Sequence, residues 1–394
     1  MKHSSRLSFI LFALVLGCSG VAALLPSGPV HADGGAPNLA YIAGAGANGN
    51  ALAIIDINQR RVTHSVALMG TPWGVVLSAD NRYAYVTEQS AGQLAIVDTR
   101  TYAVTGTVAT GAGATGIAID FADAAHLFVA NREAGTVTVV ASDQPHVLAT
   151  ILVGQQPTGI AIAGQGTTIT GNPQVFVANA GSDTISVIDA VSRTVTSTIS
   201  VPGGPQYVVI PANASVAYVT TRAGAVFVIA LATHQVLGAL VQRAGASFGV
   251  MDYDAITSQI YVPDAANGAL AILAPVTASG GAHFPTEPSQ QLSVAGGPSA
   301  VAITFDGAFA FVTTHDTGQV LMLDATTSQT LATISVGGTP HTIITGSYPP
   351  ILDRQSATVV GISVSVGFLV LCCIALIIFS RRMRKGASSD VTSA

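Results

Sequence analysis

Seven similar copies of one strand motif follow one another along this chain of 394 residues. A typical copy, "VFVANAGSDTISVID", has an apolar strand with an aromatic residue, a short polar turn and a second apolar strand. The aromatic residues of successive copies lie 42 to 50 residues apart, at Tyr41, Tyr85, Phe128, Phe176, Tyr218, Tyr261 and Phe311. A period in the forties, with β-branched strands and no helical pattern, is typical of one four-stranded propeller blade per repeat. The sequence therefore predicts an all-β, seven-bladed β-propeller of four-stranded antiparallel blades over residues 39–345.

Within each copy, alternate residues are expected to face opposite sides of the blade. Ile185 and Val187 would face one neighbouring blade, whereas Ser186 and Ile188 would face the other. Both faces are rich in apolar and β-branched residues, so each blade is expected to be buried between its two neighbours.

The two ends of the repeat region are out of phase with each other. The first copy begins at its second strand, near Leu39, and the last copy is followed by one additional first strand within residues 337–345. Pairing of this C-terminal strand with the N-terminal blade would close the ring and remove two exposed sheet edges. Closure of that kind is therefore predicted.

The motifs "YVTE", "FVAN" and "TISVID", with turns such as "GGPQYVVI", resemble the YVTN-repeat family of seven-bladed propellers. The resemblance covers about residues 39–345 and implies an extracytoplasmic or surface-layer-type binding scaffold. It implies no shared set of catalytic residues. The chain departs from the family pattern at Ala43 and Gly44, at Ala141 in place of the usual aspartate, and in an insertion around "ASGGAHFPTEPSQ".

The N-terminal segment has the pattern of an export signal. Lys2 and Arg6 precede an apolar run, and "VHA" ending at Ala32 supplies the small residues of a cleavage site, so residues 1–32 are predicted to be a signal peptide. Two alternatives remain open, namely lipidation of Cys18 and retention of the segment as an uncleaved anchor.

The C-terminal segment has the pattern of a membrane span. Residues 357–379 contain no charged side chain and are followed by the basic stretch "RRMRK". An uncharged stretch of this length can cross a bilayer, and basic residues remain on the cytoplasmic side. We therefore expect a stalk at 346–356, a single transmembrane helix at 357–379, a cytoplasmic tail at 380–394 and a propeller outside the cell membrane. A buried core helix is the alternative for the apolar stretch.

Charge and cysteine content limit the partners and the environment of the propeller. Residues 39–345 contain 8 arginines, no lysine and 17 acidic residues, and this excess of negative charge argues against nucleic acid as a partner. The cysteines, Cys18, Cys372 and Cys373, all lie in the terminal apolar segments. The propeller is thus expected to be stable without disulfides.

Several short motifs suggest chemistry that their context does not support. "GAGANG" and "GAGATG" match a dinucleotide-binding glycine pattern, but strands follow them where that site requires a helix. "GASFG" around Ser247 matches a nucleophile elbow, yet it aligns with the turns between blades. The chain has no CxxC, CxxCH or HExxH motif, so no cofactor and no metal are predicted.

The repeat alignment predicts a ligand site at one mouth of the central channel. It places Trp73, Thr115, Thr158, Gln206, Phe248, Ser299 and His341 at equivalent positions around that mouth. The ends of the aromatic strands form a next shell, in which Asn131 and Asn179 are expected to cap their own turns. The residues predicted to bind a ligand are Trp73, Glu88, Arg132, Gln206, Arg222, Phe248, Asp264, His315 and His341.

These patterns favour a membrane-anchored binding scaffold for a protein or cell-envelope glycan. The alternative is a propeller enzyme of lactonase-like or metal-dependent lyase type, since His315 and His341, with Asp316 and Glu88, could act as acid and base or hold a metal. Convergence of three or more carboxylate or histidine side chains at the mouth would favour the enzyme. Lateral self-association through an apolar rim would instead indicate a structural coat protein.

Overall fold

The computed structural model of the chain describes residues 38–120, 126–164, 167, 169–212, 214–278 and 287–346. In these ranges the chain forms 28 β-strands arranged as seven four-stranded sheets. Every neighbouring pair of strands within a sheet is antiparallel. The predicted seven-bladed propeller is confirmed.

In the first four blades, the strands lie in the following order from the centre of the ring outward. Blade 1 consists of β28 (Thr342–Gly346), β1 (Leu39–Ala45), β2 (Ala51–Asp56) and β3 (Arg61–Ala67). Blade 2 consists of β4 (Pro72–Leu77), β5 (Tyr83–Glu88), β6 (Gln93–Asp98) and β7 (Ala103–Ala109). Blade 3 consists of β8 (Ala114–Asp120), β9 (His126–Asn131), β10 (Thr136–Ala141) and β11 (Val147–Leu152). Blade 4 consists of β12 (Pro157–Ala163), β13 (Gln174–Asn179), β14 (Thr184–Asp189) and β15 (Thr194–Ser200).

The remaining three blades have the same order. Blade 5 consists of β16 (Pro205–Val209), β17 (Val216–Thr221), β18 (Ala225–Ala230) and β19 (Val236–Gln242). Blade 6 consists of β20 (Asp252–Tyr253), β21 (Ile260–Asp264), β22 (Ala269–Leu273) and β23 (Gln290–Ser293). Blade 7 consists of β24 (Pro298–Ile303), β25 (Phe309–Thr314), β26 (Gln319–Asp324) and β27 (Thr330–Ser335).

The C-terminal strand closes the ring as predicted. β28 pairs antiparallel with β1, and Tyr41 lies opposite Ile344 while Ile42 lies opposite Ile343. The amide of Asn38 also donates a hydrogen bond of 3.0 Å to the carbonyl of Gly346, so the two ends of the propeller meet. Blade 1 is therefore built from both ends of the repeat region.

The hydrophobic core is divided among the interfaces between blades. Seven clusters of buried side chains are found in the described residues, and each joins two adjacent blades. The repeat aromatics all lie in these clusters and are at most 3% exposed. Each packs against the blade that follows it, as Phe176 of blade 4 does against Ala217 of blade 5. The seven aromatics therefore stabilise the contacts between blades.

The predicted alternation along β14 is confirmed. Ile185 and Val187 pack towards blade 5, whereas Ile188 packs towards blade 3. Ser186 shares the face of Ile188 and is buried, with its hydroxyl accepting a hydrogen bond of 3.0 Å from the side-chain amide of Asn179. A polar residue is accommodated on this face because it has a partner.

Blade 6 departs from the regular pattern because its innermost strand, β20, has only two residues. Pro263 in the adjacent strand β21 has no N–H to donate to that strand. Val250, just before β20, instead pairs in parallel with β24 of blade 7, donating to the carbonyl of Ser299 and accepting from Val301. The innermost segment of blade 6 is thus shared with its neighbour.

Some innermost strands approach the next blade so closely that only glycine fits. A Cβ atom at Gly116 of blade 3 would clash with the backbone carbonyl of Thr158 in blade 4. That obstacle is backbone and cannot rotate away, so a side chain there would force the two blades apart.

No helix in the described ranges is long and apolar enough to cross a bilayer. The predicted signal peptide at 1–32, transmembrane helix at 357–379 and tail at 380–394 lie outside the described residues. Of the predicted stalk, only Gly346 is described, and it is the last residue of β28.

Candidate functional site at the channel mouth

The seven innermost strands surround a central cavity of about 610 Å³. Residues from blades 1 to 7 line it, including Trp73, Tyr207, Asp252, Tyr253 and Thr342. We use the name mouth face for the end of the ring at which each chain segment enters an innermost strand and at which the second and third strands of each blade are joined. The opposite end, where Gly346 lies, is the exit face.

The ring of repeat-equivalent residues at the mouth divides into exposed and buried members. Trp73, Gln206, Ser299 and His341 are partly exposed, whereas Thr115, Thr158 and Phe248 are buried. The hydroxyl of Thr115 donates to the carbonyl of Ala130, at 3.1 Å. Side chains at this repeat position therefore lie at the channel mouth in some blades and are buried inside the protein in others.

Phe248 lies inside the protein and does not line the channel. It is 5% exposed and belongs to the apolar cluster between blades 5 and 6, with Met251 and Val262. It takes this position next to the segment that blade 6 shares with blade 7. A ligand in the channel would not reach its ring without a rearrangement.

Three aromatic side chains from blades 1, 2 and 7 lie side by side at the mouth. The indole of Trp73 stacks on the imidazole of His341, with ring centroids 4.4 Å apart and an angle of 18° between the planes. The imidazole of His315 lies 6.0 Å from that of His341. We call these three residues the aromatic edge. The stacked pair and the ring of His315, tilted by 51° from that of His341, offer aromatic surface whose edges carry ring nitrogens.

The His341 imidazole is neutral over the ordinary range of pH. Burial, together with the neighbouring His315, lowers its pKa from 6.5 to about 4. His315 is exposed, and its Nδ1 lies 3.4 Å from a carboxylate oxygen of Asp316. At neutral pH, the unprotonated ring nitrogen of His341 can therefore accept a hydrogen bond.

Two predicted acidic residues, Glu88 and Asp264, are buried at the ends of the second strands of their blades, next to the turns that lead into the third strands. Each is 1% exposed. The Glu88 carboxylate accepts hydrogen bonds from the amide of Met69 and the side chain of Gln93. Asp264 accepts from the amide of Ser247 at 3.1 Å and from the side chain of Asn267 at 2.7 Å. Both carboxylates thus hold the mouth turns in place.

Asn131 and Asn179 occupy the equivalent position of blades 3 and 4. The sequence predicted that they would bind the backbone of their own turns, but in the structure their side-chain amides bind other side chains. The Asn131 amide donates to the hydroxyls of Thr136, at 3.0 Å, and Thr138, at 2.8 Å. The Asn179 amide donates to Thr184, at 3.2 Å. These bonds tie the second strand of each blade to the third.

Two predicted arginines lie at the mouth in blades 3 and 5, outside the three blades that carry the aromatic edge. Arg132 follows the second strand of blade 3, and Arg222 follows that of blade 5. Arg132 lines a recess of about 510 Å³ together with Gln156, whose side chain accepts a hydrogen bond of 3.4 Å from Arg222.

Tyr207 is a mouth residue that the sequence analysis missed. Burial raises the pKa of its phenol, while the nearby Arg132 and Arg222 act to lower that pKa. The equivalent position in four other blades is glycine, at Gly74, Gly116, Gly159 and Gly249. That substitution of a large polar side chain for glycine was the signal that could have revealed it.

Asp252, deep in the channel, was also missed. Burial raises its pKa to about 6, against the lowering effect of hydrogen bonds from the amides of Ile303 and Tyr253. Asp252 is half-buried, and its exposed part faces the channel and not the outer surface of the protein. The carboxyl is therefore shielded from bulk water. No three histidine, cysteine, aspartate or glutamate side chains come together as a metal site in the part of the chain that the structure describes.

Comparison with known proteins shows a shared fold at low sequence identity. No family model matches the chain, and no curated protein matches it. The structure of the periplasmic gluconolactonase of Pseudomonas aeruginosa matches with a TM-score of 0.64 at 18% identity, covering 79% of this chain and 99% of that one.

Two further structures match over similar lengths. A protein from Lactobacillus plantarum has a TM-score of 0.62 at 18% identity, with 78% of this chain and 98% of that one covered. Hydrazine synthase of Kuenenia stuttgartiensis has a TM-score of 0.60 at 19% identity, with 73% and 93% covered. At these identities, the matches show that the chain shares its propeller fold with these proteins.

Proposed function

We propose that this protein is a membrane-anchored, extracytoplasmic propeller of the YVTN-repeat type whose mouth face binds a protein or cell-envelope glycan. The observation that carries the proposal is the aromatic edge, where Trp73, which lines the central cavity, stacks on His341. Stacked rings beside a concave opening suit a sugar ring or the end of a polypeptide chain.

The sequence supports an extracytoplasmic propeller. Residues 357–379 contain no charged side chain and are followed by the basic stretch "RRMRK", and basic residues next to a span remain on the cytoplasmic side. The net negative charge of residues 39–345 argues against nucleic acid and leaves a protein or glycan as the partner.

Capture of envelope components by the purified full-length protein tests the proposal. We expect the wild type to retain a defined protein or glycan, and Trp73→Ala and His341→Ala to lose it. Met69→Ala is the matched control, because Met69 is 86% exposed in a mouth-face turn but lies outside the aromatic edge. Equal capture by all four proteins would refute binding through the aromatic edge.

A lactonase-like hydrolase is the second candidate function. It is favoured by the position of His341 at the mouth, where its unprotonated ring nitrogen can accept a hydrogen bond from water. A gluconolactonase is among the proteins of similar structure. Hydrolysis of glucono-δ-lactone by the full-length protein should then exceed the spontaneous rate and fall to that rate in His341→Gln. A wild-type rate equal to that in buffer would exclude this substrate.

A further inference from the structure

Two guanidinium groups flank one blade at the mouth face. Arg132 and Arg222 occupy equivalent repeat positions in blades 3 and 5, and the position between them in blade 4 is Ala180. Alanine is the smallest side chain of the set, and Ala180 is itself buried. At this repeat position, the intervening blade therefore places no long side chain between the two arginines.

Neither guanidinium is neutralised within the ranges that the structure describes. The ion pairs in those ranges involve Arg82, Arg243 and His315. The nearest polar contact of Arg222 is the uncharged side chain of Gln156, at 3.4 Å. Two guanidinium groups without an ion-pair partner attract an anion that lies near both more strongly than either would alone.

Gln156 links the two arginines and is held in an unusual backbone conformation. Its φ is 50°, in the left-handed region that is unfavourable for a residue with a side chain. Its carbonyl accepts hydrogen bonds from the amide of Ala180 and the hydroxyl of Thr158, both at 3.1 Å. This strained turn brings the amide side chain of Gln156 to the recess lined by Arg132 and to the guanidinium of Arg222.

Tyr207 supplies a third hydrogen-bond donor close to both arginines. It lines the central cavity, and both guanidinium groups act electrostatically on its phenol. Burial keeps the phenol protonated, so it can donate to an anion at neutral pH.

Two carboxylates lie near Arg132 and Arg222 and reduce the positive potential of the two guanidinium groups. Glu133 lines the same recess as Arg132. Asp183 accepts a hydrogen bond of 2.7 Å from the amide of Gly204, beside Arg222. The Asp183 carboxylate is thus already engaged by backbone, and Glu133 forms no ion pair with Arg132 in the described ranges.

We propose that Arg132, Arg222, Gln156 and Tyr207 form a binding site for a carboxylate or phosphate group, such as the acidic group of an anionic sugar. This inference rests on the proposed binding role of the mouth face and defines the chemistry of its ligand. Two guanidinium groups bind the anion, while the phenol and the amide of Gln156 fix its orientation.

Calorimetric titration of the full-length protein with inorganic phosphate, glucuronate and glucose, at constant ionic strength, tests the site. We expect binding of phosphate or glucuronate but not of glucose, and the stronger of the two anions identifies the group recognised. Arg132→Gln and Arg222→Gln should each weaken that anion by about tenfold or more. Tyr207→Phe should weaken it by roughly 2- to 10-fold, as expected for one neutral hydrogen bond.

The matched control is Arg100→Gln, which removes the same charge from an exposed turn on the exit face and should leave affinity unchanged. Unfolding temperature without ligand is measured for every variant, so that a folding defect is recognised. The site is refuted if the wild type binds neither anion, or if Arg100→Gln weakens binding as much as the mouth variants do. Because no partner is present in the titration, its result is independent of partner capture through the aromatic edge.

Discussion

Aspartate ends the third strand of blades 1, 2, 4 and 7 and binds the turn that follows. In blade 2, the Asp98 carboxylate accepts hydrogen bonds from the amides of Arg100, at 2.8 Å, and Thr101, at 3.1 Å. Burial acts to raise the pKa of Asp98, but these two bonds, together with the charges of Arg100 and Arg82, outweigh it and lower that pKa. Four residues after each aspartate, the chain adopts a positive φ, as at Tyr102, where φ is 54°. Hydrogen bonding of the carboxylate to the turn thus explains why aspartate recurs at the end of the third strand.

Replacement of Asp98 tests this role of the carboxylate. Asp98→Ala should lower the free energy of unfolding by about 1–2 kcal/mol, because two backbone amides lose their acceptor. Urea denaturation measures the change. Asp98→Asn keeps a side-chain oxygen in the same place and should cost less than half as much; an equal loss in both variants would assign the effect to charge.

Two residues, Asp252 and His341, should make the free energy of unfolding depend on pH in opposite directions, so that their effects largely cancel. Asp252 has a pKa of about 6, above its ordinary 3.8, so the folded state binds the additional proton and stability falls as pH rises from 4 to 6. His341 has a pKa of about 4, below its ordinary 6.5, so the unfolded state binds the additional proton and stability rises over a similar window. Each effect amounts to at most about 3 kcal/mol.

Removal of either residue should reveal the effect of the other. Between pH 4 and 6, the unfolding free energy of Asp252→Asn should rise with pH, whereas that of His341→Gln should fall. Urea titrations at several pH values give both slopes. Variants that keep the wild-type slope would show that these two groups do not titrate as the structure indicates.

At the scale of the strand, glycine and aromatic residues determine how the blades fit together. Gly116→Ala should destabilise the protein by about 1–3 kcal/mol, because the new methyl group meets the carbonyl of Thr158. Thermal unfolding measures the loss. Gly106→Ala is the control, since a Cβ atom there would lie 3.7 Å from the nearest atom, on Ile96, and should change stability by less than about 0.5 kcal/mol.

The sequence predicted the burial of residues that have the same surroundings in every blade. It predicted burial less well where one blade departs from the repeat. The seven aromatic residues are all buried as expected, because each sits on a strand between two blades. Phe248 and Trp73 share a repeat position, yet only Trp73 reaches the channel, because blade 6 shares its innermost segment with blade 7. The burial of Glu88 likewise depends on a contact with Gln93 that strand patterns do not specify.

For the whole molecule, closure between β28 and β1 is the feature that the sequence predicted most directly. Cross-linking tests the register. In a background where Cys18, Cys372 and Cys373 are serine, Ala40→Cys with Thr345→Cys should form a disulfide, because these residues are direct partners and their Cα atoms are about 4.5–5.5 Å apart.

Mass spectrometry of unreduced peptides detects the bond, which should also raise the unfolding temperature by restricting the unfolded chain. Ala40→Cys with Ile344→Cys is the control, since adjacent strand residues face opposite sides of the sheet and should not cross-link. A disulfide in the control alone would show that the register is shifted by one residue.

The meeting of Asn38 and Gly346 on the exit face has a practical consequence for experiments on this protein. A fluorescent reporter fused before residue 38, or a bead coupled beyond residue 346, would attach on the side opposite the aromatic edge. Ligands could then reach the aromatic edge from solution without obstruction, and both attachments would share one small anchorage on the ring.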